Sequence, residues 1–155
     1  MLDAALALLG SPMTQEASDT TPIVQEEGNA YNPPSGALFD GDENTFVQLY
    51  TYAAGGTGGN FDPPIDISAL ELVASGTPGY SGEPGWYGGF AEVIVTHSEG
   101  DSLYIRENIQ ATSAKQRFAI ARKLTGVSRI YVKKPSNSRF RAYEVVIYLA
   151  PSESN

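Results

Sequence analysis

Leu38-Phe39-Asp40-Gly41-Asp42-Glu43-Asn44-Thr45-Phe46 sets a carboxylate-rich turn between apolar anchors, and far along the chain Arg141-Ala142-Tyr143-Glu144-Val145-Val146-Ile147-Tyr148 alternates as a strand does. Asp, Gly and Asn form tight turns because their side chains bond the nearby backbone or accept unusual dihedrals. A turn that leads into one strand, answered by an alternating strand near the C-terminus, predicts a β-domain closed by its two ends. Neither stretch carries obvious catalytic chemistry, so its carboxylates read first as architecture.

The rest of the chain agrees with a β-domain. Its 155 residues fit one domain, 41% of them are hydrophobic, and 16 Gly and 10 Pro among many Tyr and Val predict short strands joined by tight turns. No cysteine is present, so a disulfide framework or thiolate zinc site is excluded. Charge is uneven: residues 1–105 hold fifteen Asp or Glu and no Lys or Arg, whereas all ten Lys and Arg lie between Arg106 and Arg141. Compensation within one fold is the plain reading of that asymmetry. Oligomer contacts or an anionic partner are the alternatives.

Leu2, Ala5, Leu6 and Leu9 fall at helical spacing before Gly10-Ser11-Pro12, so Leu2, Leu6 and Leu9 predict a short apolar stripe that packs on its own domain or anchors into a neighbour. The run is too short to span a bilayer and no basic residue precedes it, which predicts neither membrane insertion nor a signal peptide. Residues 11–36 are polar and Pro-rich, with Ile23-Val24 as the one strand-like pair. The division expected is an N-terminal arm over 1–29, a sandwich over 30–150 and a tail over 151–155.

Within the sandwich, strands are expected at 45–52, 65–73, 90–96, 103–106, 117–122, 129–135 and 139–149, with Phe118 and Ile120 inward. Ala53 to Asn60, with Gly55, Gly56, Gly58 and Gly59, reads as a flexible loop; the Lys-Ser/Thr that follows the glycines of a phosphate loop is missing. Thr77 to Gly89 reads as a second long loop, carrying Tyr80, Trp86 and Tyr87. Such rings either plug the sandwich or form a stacking platform for a planar or sugar ligand. The whole is an all-β, antiparallel β-sandwich or jelly roll with an extended N-terminal arm.

Residues 37–46 resemble the Ala-x-x-Asp-Gly-Asp/Asn-x-x-Thr-aromatic signature of discoidin, or coagulation-factor C-type, domains, within the galactose-binding-like jelly-roll superfamily. Val127-Ser128-Arg129-Ile130-Tyr131-Val132 and Tyr143-Glu144-Val145-Val146-Ile147-Tyr148 are similar to two of that family's later strands. The chain departs from the pattern at Val47, where the family usually has tryptophan, and in lacking the terminal cysteines of extracellular members. The resemblance implies a structural calcium ion (Ca2+) held by Asp40, Asp42 and Thr45 with Glu144; otherwise Asp40 and Asp42 simply accept backbone N–H bonds in a tight turn. It also implies a glycan, lipid headgroup or protein ligand on loops at one end, which by position are 53–60, 77–89 and 97–102. Tyr80, Trp86, Tyr87, His97 and Arg139 are the candidate ligand-binding residues.

One histidine, no cysteine and no Gly-x-Ser-x-Gly elbow argue against nucleophilic catalysis, so the chain is expected not to be an enzyme. A basic run on an acidic protein is a weak nucleic-acid signal, and no such partner is expected. The function expected is a non-catalytic component of a larger assembly, such as a bacteriophage-type virion decoration, tail or fibre protein, homo-oligomeric and anchored by its arm. The alternative is a free-standing carbohydrate-binding module that recognises cell-surface glycans through the aromatic loop.

Overall fold

Gly55–Ser75 (β3) and Gln116–Lys134 (β8) are strands of 21 and 19 residues, each too long to run flat across so small a domain at about 3.3 Å per residue. The computed structural model describes residues 19–25, 38–49, 54–79 and 85–150. Within them lie Asp19–Gln25 (β1), Val47–Leu49 (β2), β3, Thr77–Pro78 (β4), Trp86–Tyr87 (β5), Gly89–His97 (β6), Gly100–Ile109 (β7), β8 and Phe140–Leu149 (β9). Every pairing among them is antiparallel. No helix among the described residues is long and apolar enough to cross a membrane.

β3 and β8 pair from Gly55↔Lys134 through to Ala74↔Gln116, and the register shifts three times between Asn60 and Ala69. There the paired strands bend and change layers, as strands at the corner of a sandwich do. Phe61-Asp62-Pro63-Pro64 suits that corner because proline cannot donate to a ladder. Gly126 takes φ +65 on the facing strand, and its N–H donates to Asp66 Oδ1 at 2.9 Å. The first half of β3 and the second half of β8 thus join β1, β6 and β7 in one layer. Their other halves join β9 and β2 in the second.

The core lies between the layers. Val93, Val95, Ile130 and Val132 from one layer and Leu70, Leu72, Val145 and Ile147 from the other belong to a single buried cluster. Strand alternation then sends Ala69, Glu71 and Val73 to the opposite face of the second layer. Ala69 and Tyr148 form a small cluster there with Ala119 and Val146. Phe118 and Ile120 pack on the main core, as expected from their spacing.

Four sequence expectations are corrected. Residues 55–60 are not a flexible loop but strand, paired on one side with β1 and on the other with β8. Their glycines serve close approach: a Cβ on Gly56 would lie 2.6 Å from the Tyr131 ring and from Val132 O, and one on Gly58 would collide with Ile130 O. Residues 19–25, assigned to the arm, are β1. The strands expected at 117–122 and 129–135 are one, β8, which bends at Thr125-Gly126 between them. Part of 77–89 forms the β4–β5 ribbon, through Thr77↔Tyr87 and Pro78↔Trp86. Leu2, Leu6, Leu9 and the tail 151–155 lie outside the described residues.

The charge asymmetry is met at least partly within the chain. Arg117, from the basic segment, bonds Glu43 at 2.6 Å and Glu71 at 2.7 Å, and Arg106 lies 3.8 Å from Glu92. The Arg117–Glu43 pair is half-exposed and worth about 0–1 kcal/mol in water, whereas Glu71 is buried beneath Arg117.

Replacing Gly58 with Ala forces a methyl group against the Ile130 carbonyl and is expected to cost about 1–3 kcal/mol, the usual penalty of overpacking. Urea denaturation checks this; a flexible-loop glycine would tolerate the change without loss.

Candidate functional site

The β4–β5 ribbon brings two aromatic side chains to one end of the sandwich. Neighbouring residues of a strand face opposite ways. Trp86 is 38% exposed, whereas Tyr87 is half-buried with its ring 4.3 Å from the Arg139 guanidinium. The ribbon is tied down where Arg139 N–H donates to Gly88 O at 3.1 Å. Arg139 itself is 1% exposed and so forms the floor of this end, not its rim.

Beside that floor, Arg141 is held on several sides. Its guanidinium lies 4.3 Å from the Phe46 ring and 6.0 Å from Trp86, and its Nε–H donates to Gln48 Oε1 at 2.9 Å. Gln48 and Arg141 are register partners between β2 and β9, so they share a face. Phe46 in turn meets Tyr143 edge-on at 5.5 Å, and the Tyr143 hydroxyl shares a 2.9 Å hydrogen bond with Ser75 Oγ. Lys134 is fully buried at the end of β8, with a single long hydrogen bond from Nζ to Pro135 O at 3.3 Å. Burial, and then the charge of Arg139, push its ammonium group down to about 8.

Of the expected ligand-binding residues, Trp86, Tyr87 and Arg139 come together here, and Tyr80 lies outside the described residues. His97 does not join them. It ends β6, roughly 26 Å along that strand from Gly89, and its Nε2 bonds Ser102 Oγ at 2.7 Å. The loop 97–102 is therefore at the other end from 77–89. Arg141 is not among the residues expected from the sequence; its two-residue spacing from Arg139 at the start of an alternating strand was the available signal.

The acidic turn is a second cluster. Asp40 Oδ1 accepts from Asp42 N and Asp42 Oδ1 from Asn44 N, both at 2.8 Å, while the Thr45 hydroxyl donates to Asp40 Oδ2 at 2.7 Å. Gly41 N–H donates to Glu144 Oε2 at 3.1 Å, which joins the turn to the last strand. Glu144 is 3% exposed, and its Oε1 is buried without a hydrogen-bond partner. Burial raises its carboxyl to about 8, opposed by the Gly41 N–H and reinforced by the nearby Asp40 charge. Nearby, Arg117 holds Glu43 below the usual carboxylate range by direct hydrogen bonding.

Among the described residues no three Asp, Glu or His side chains form a ready metal cage. Asp40, Thr45 and Glu144 do offer an oxygen-only set, with backbone carbonyls beside them, and the orphaned Glu144 oxygen suits a hard cation. The Asp42 carboxylate is used by the turn, leaving its carbonyl, which already accepts from Thr45.

No protein-family model matches the sequence, and no curated protein matches it. Solved structures do. A family 32 carbohydrate-binding module of C. perfringens NanJ, in complex with galactose, is similar with a TM-score of 0.53 at 16% identity, over 85% of this chain and 97% of that one. A fucose-binding module of Streptococcus pneumoniae gives 0.56 at 11%, over 91% and 99%. The C-terminal domain of a chitobiase from Bacteroides fragilis gives 0.58 at 12%, over 92% and 100%. At such identities the likeness establishes the fold, the discoidin-like galactose-binding jelly roll expected from the acidic turn and the closing strand.

The buried Lys134 sets a pH dependence. Its unfolded value is 10.5 and its folded value about 8, so between these the unfolded chain holds more protons and stability rises with pH. Urea denaturation at pH 8 and at pH 9.5 is expected to show stability increasing by up to about 1 kcal/mol per pH unit, and Lys134→Met to remove that increase.

Proposed function

We propose that this chain is a non-catalytic saccharide-binding module whose ligand stacks on Trp86 at the ribbon end of the sandwich. The observation that carries the reading is the exposed indole beside an anchored guanidinium, Arg141, on a rigid floor of Tyr87 and Arg139. Sugar rings present apolar C–H faces to aromatic planes and hydroxyl groups to fixed donors, and a site of this kind provides both. The galactose complex and the fucose-binding module on the same fold support it.

The function expected first from the sequence, an arm-anchored component of a virion or other assembly, rests on Leu2, Leu6 and Leu9, which lie outside the described residues, and none of the similar structures supports it. The saccharide reading therefore takes precedence. A glycan array is expected to retain the protein, and Trp86→Ala to weaken retention at least about tenfold without lowering the melting temperature, because the ring is exposed. Undiminished binding by Trp86→Ala would move the site elsewhere.

The acidic turn has a separate role in this reading. Asp40, Thr45 and Glu144 would hold a structural calcium ion, whose charge would offset the repulsion between the two carboxylates. In its absence a proton on Glu144 relieves the same repulsion. Calcium is expected to raise the melting temperature, chelator to reverse it, and Glu144→Gln to abolish the response; no shift on adding calcium counts against the ion.

A further inference from the structure

Arg141 differs from the arginines that serve the architecture. Arg117 is neutralised by Glu43 and Glu71, and Arg106 lies near Glu92. Arg141, by contrast, pairs with no carboxylate among the described residues. Its bonding partner is the neutral Gln48, and its guanidinium carbon lies 4.3 Å from the centre of the Phe46 ring and 6.0 Å from that of Trp86. A guanidinium fixed through Nε and by ring contacts keeps its two terminal amino groups in a set orientation. Those groups match the two oxygens of a carboxylate in a bidentate pair. Little entropy is then lost when the pair forms, since the arginine is already ordered.

Surrounding charges act in the same direction. Arg139 and Lys134 are buried cations at this end, close enough for the charge of Arg139 to act on Lys134. Lys134 has no carboxylate partner among the described residues; its one hydrogen bond goes to a carbonyl. With Arg141, these residues place three basic side chains at this end.

We infer that the ligand stacked on Trp86 is an acidic saccharide, a pyranose whose carboxylate is received by the terminal amino groups of Arg141. This rests on the saccharide reading and narrows it to a substrate class. The sugar ring lies against the indole and the carboxylate reaches the guanidinium beside it. Neutral sugars keep the stacking contact and lose the ion pair.

Calorimetric titration of the full chain with three probes tests this: a glucuronate-terminated oligosaccharide, the same oligosaccharide with its carboxyl reduced to the alcohol, and a sulfated counterpart. The glucuronate form is expected to bind at least about tenfold more tightly than the reduced form, the size of one charge-assisted hydrogen bond. Arg141→Gln is expected to bring that ratio near one, and Arg141→Lys to restore only part of it, because an ammonium group lacks the fork. Melting temperature controls for folding, and the wild-type ratio remains decisive if a variant does not fold. Equal binding of the glucuronate and reduced forms overturns the acidic preference while leaving the saccharide reading intact. Tighter binding of the sulfated probe overturns the carboxylate assignment, as does a ratio that survives Arg141→Gln. Failure of all three probes and of a glycan array to bind overturns both readings.

Discussion

The antiparallel pairing of β3 with β8 is the constraint from which the rest of the molecule follows. Two strands of 21 and 19 residues that stay paired from Gly55↔Lys134 to Ala74↔Gln116 cannot remain flat, so they fold over together at 61–66 and supply the centre of both layers. Once the ribbon has folded, β9 and β2 extend one layer, and β6, β7 and β1 extend the other. Its halves face each other across the core, and each half brings one end of its strands back to the same end of the sandwich. That end is where Lys134, the β4–β5 ribbon and the start of β9 meet.

The acidic turn depends on this arrangement as well. Glu144 pairs with Val73 on the face away from the main core, and burial there is tolerable only because Gly41 N–H and the residues around Asp40 cover it. A buried carboxyl with one oxygen unpartnered is costly as an anion. Its displaced titration is the consequence of that cost. The turn therefore joins the N-terminal side of the domain to its last strand through the Gly41–Glu144 hydrogen bond.

Much of this was legible beforehand, for reasons that particular residues make plain. Alternation at 117–120 placed Phe118 and Ile120 inward because side-chain direction in a strand has a period of two, whatever the partner. The acidic turn with Glu144 pointed to the jelly roll. The glycines at 55–60 misled, since a glycine gives the same local signal whether it frees a loop or admits a neighbouring backbone; only the proximity of Tyr131 and Ile130 decides. His97 misled for a related reason. Turn residues mark that the chain reverses without saying at which end of the sandwich it does so.

The sequence by itself determined the all-β class, the inward and outward faces of the strands, and the turn that closes the domain. These are local properties, set by residue type, spacing and backbone preference. Tertiary structure decided that β3 and β8 are single bent strands, that β1 belongs to the sheet, and that Trp86, Tyr87, Arg139 and Arg141 share an end while His97 does not. Those facts depend on contacts between residues distant in the chain, through pairings such as Gln48↔Arg141 and Pro78↔Trp86, and no local preference specifies such a partner.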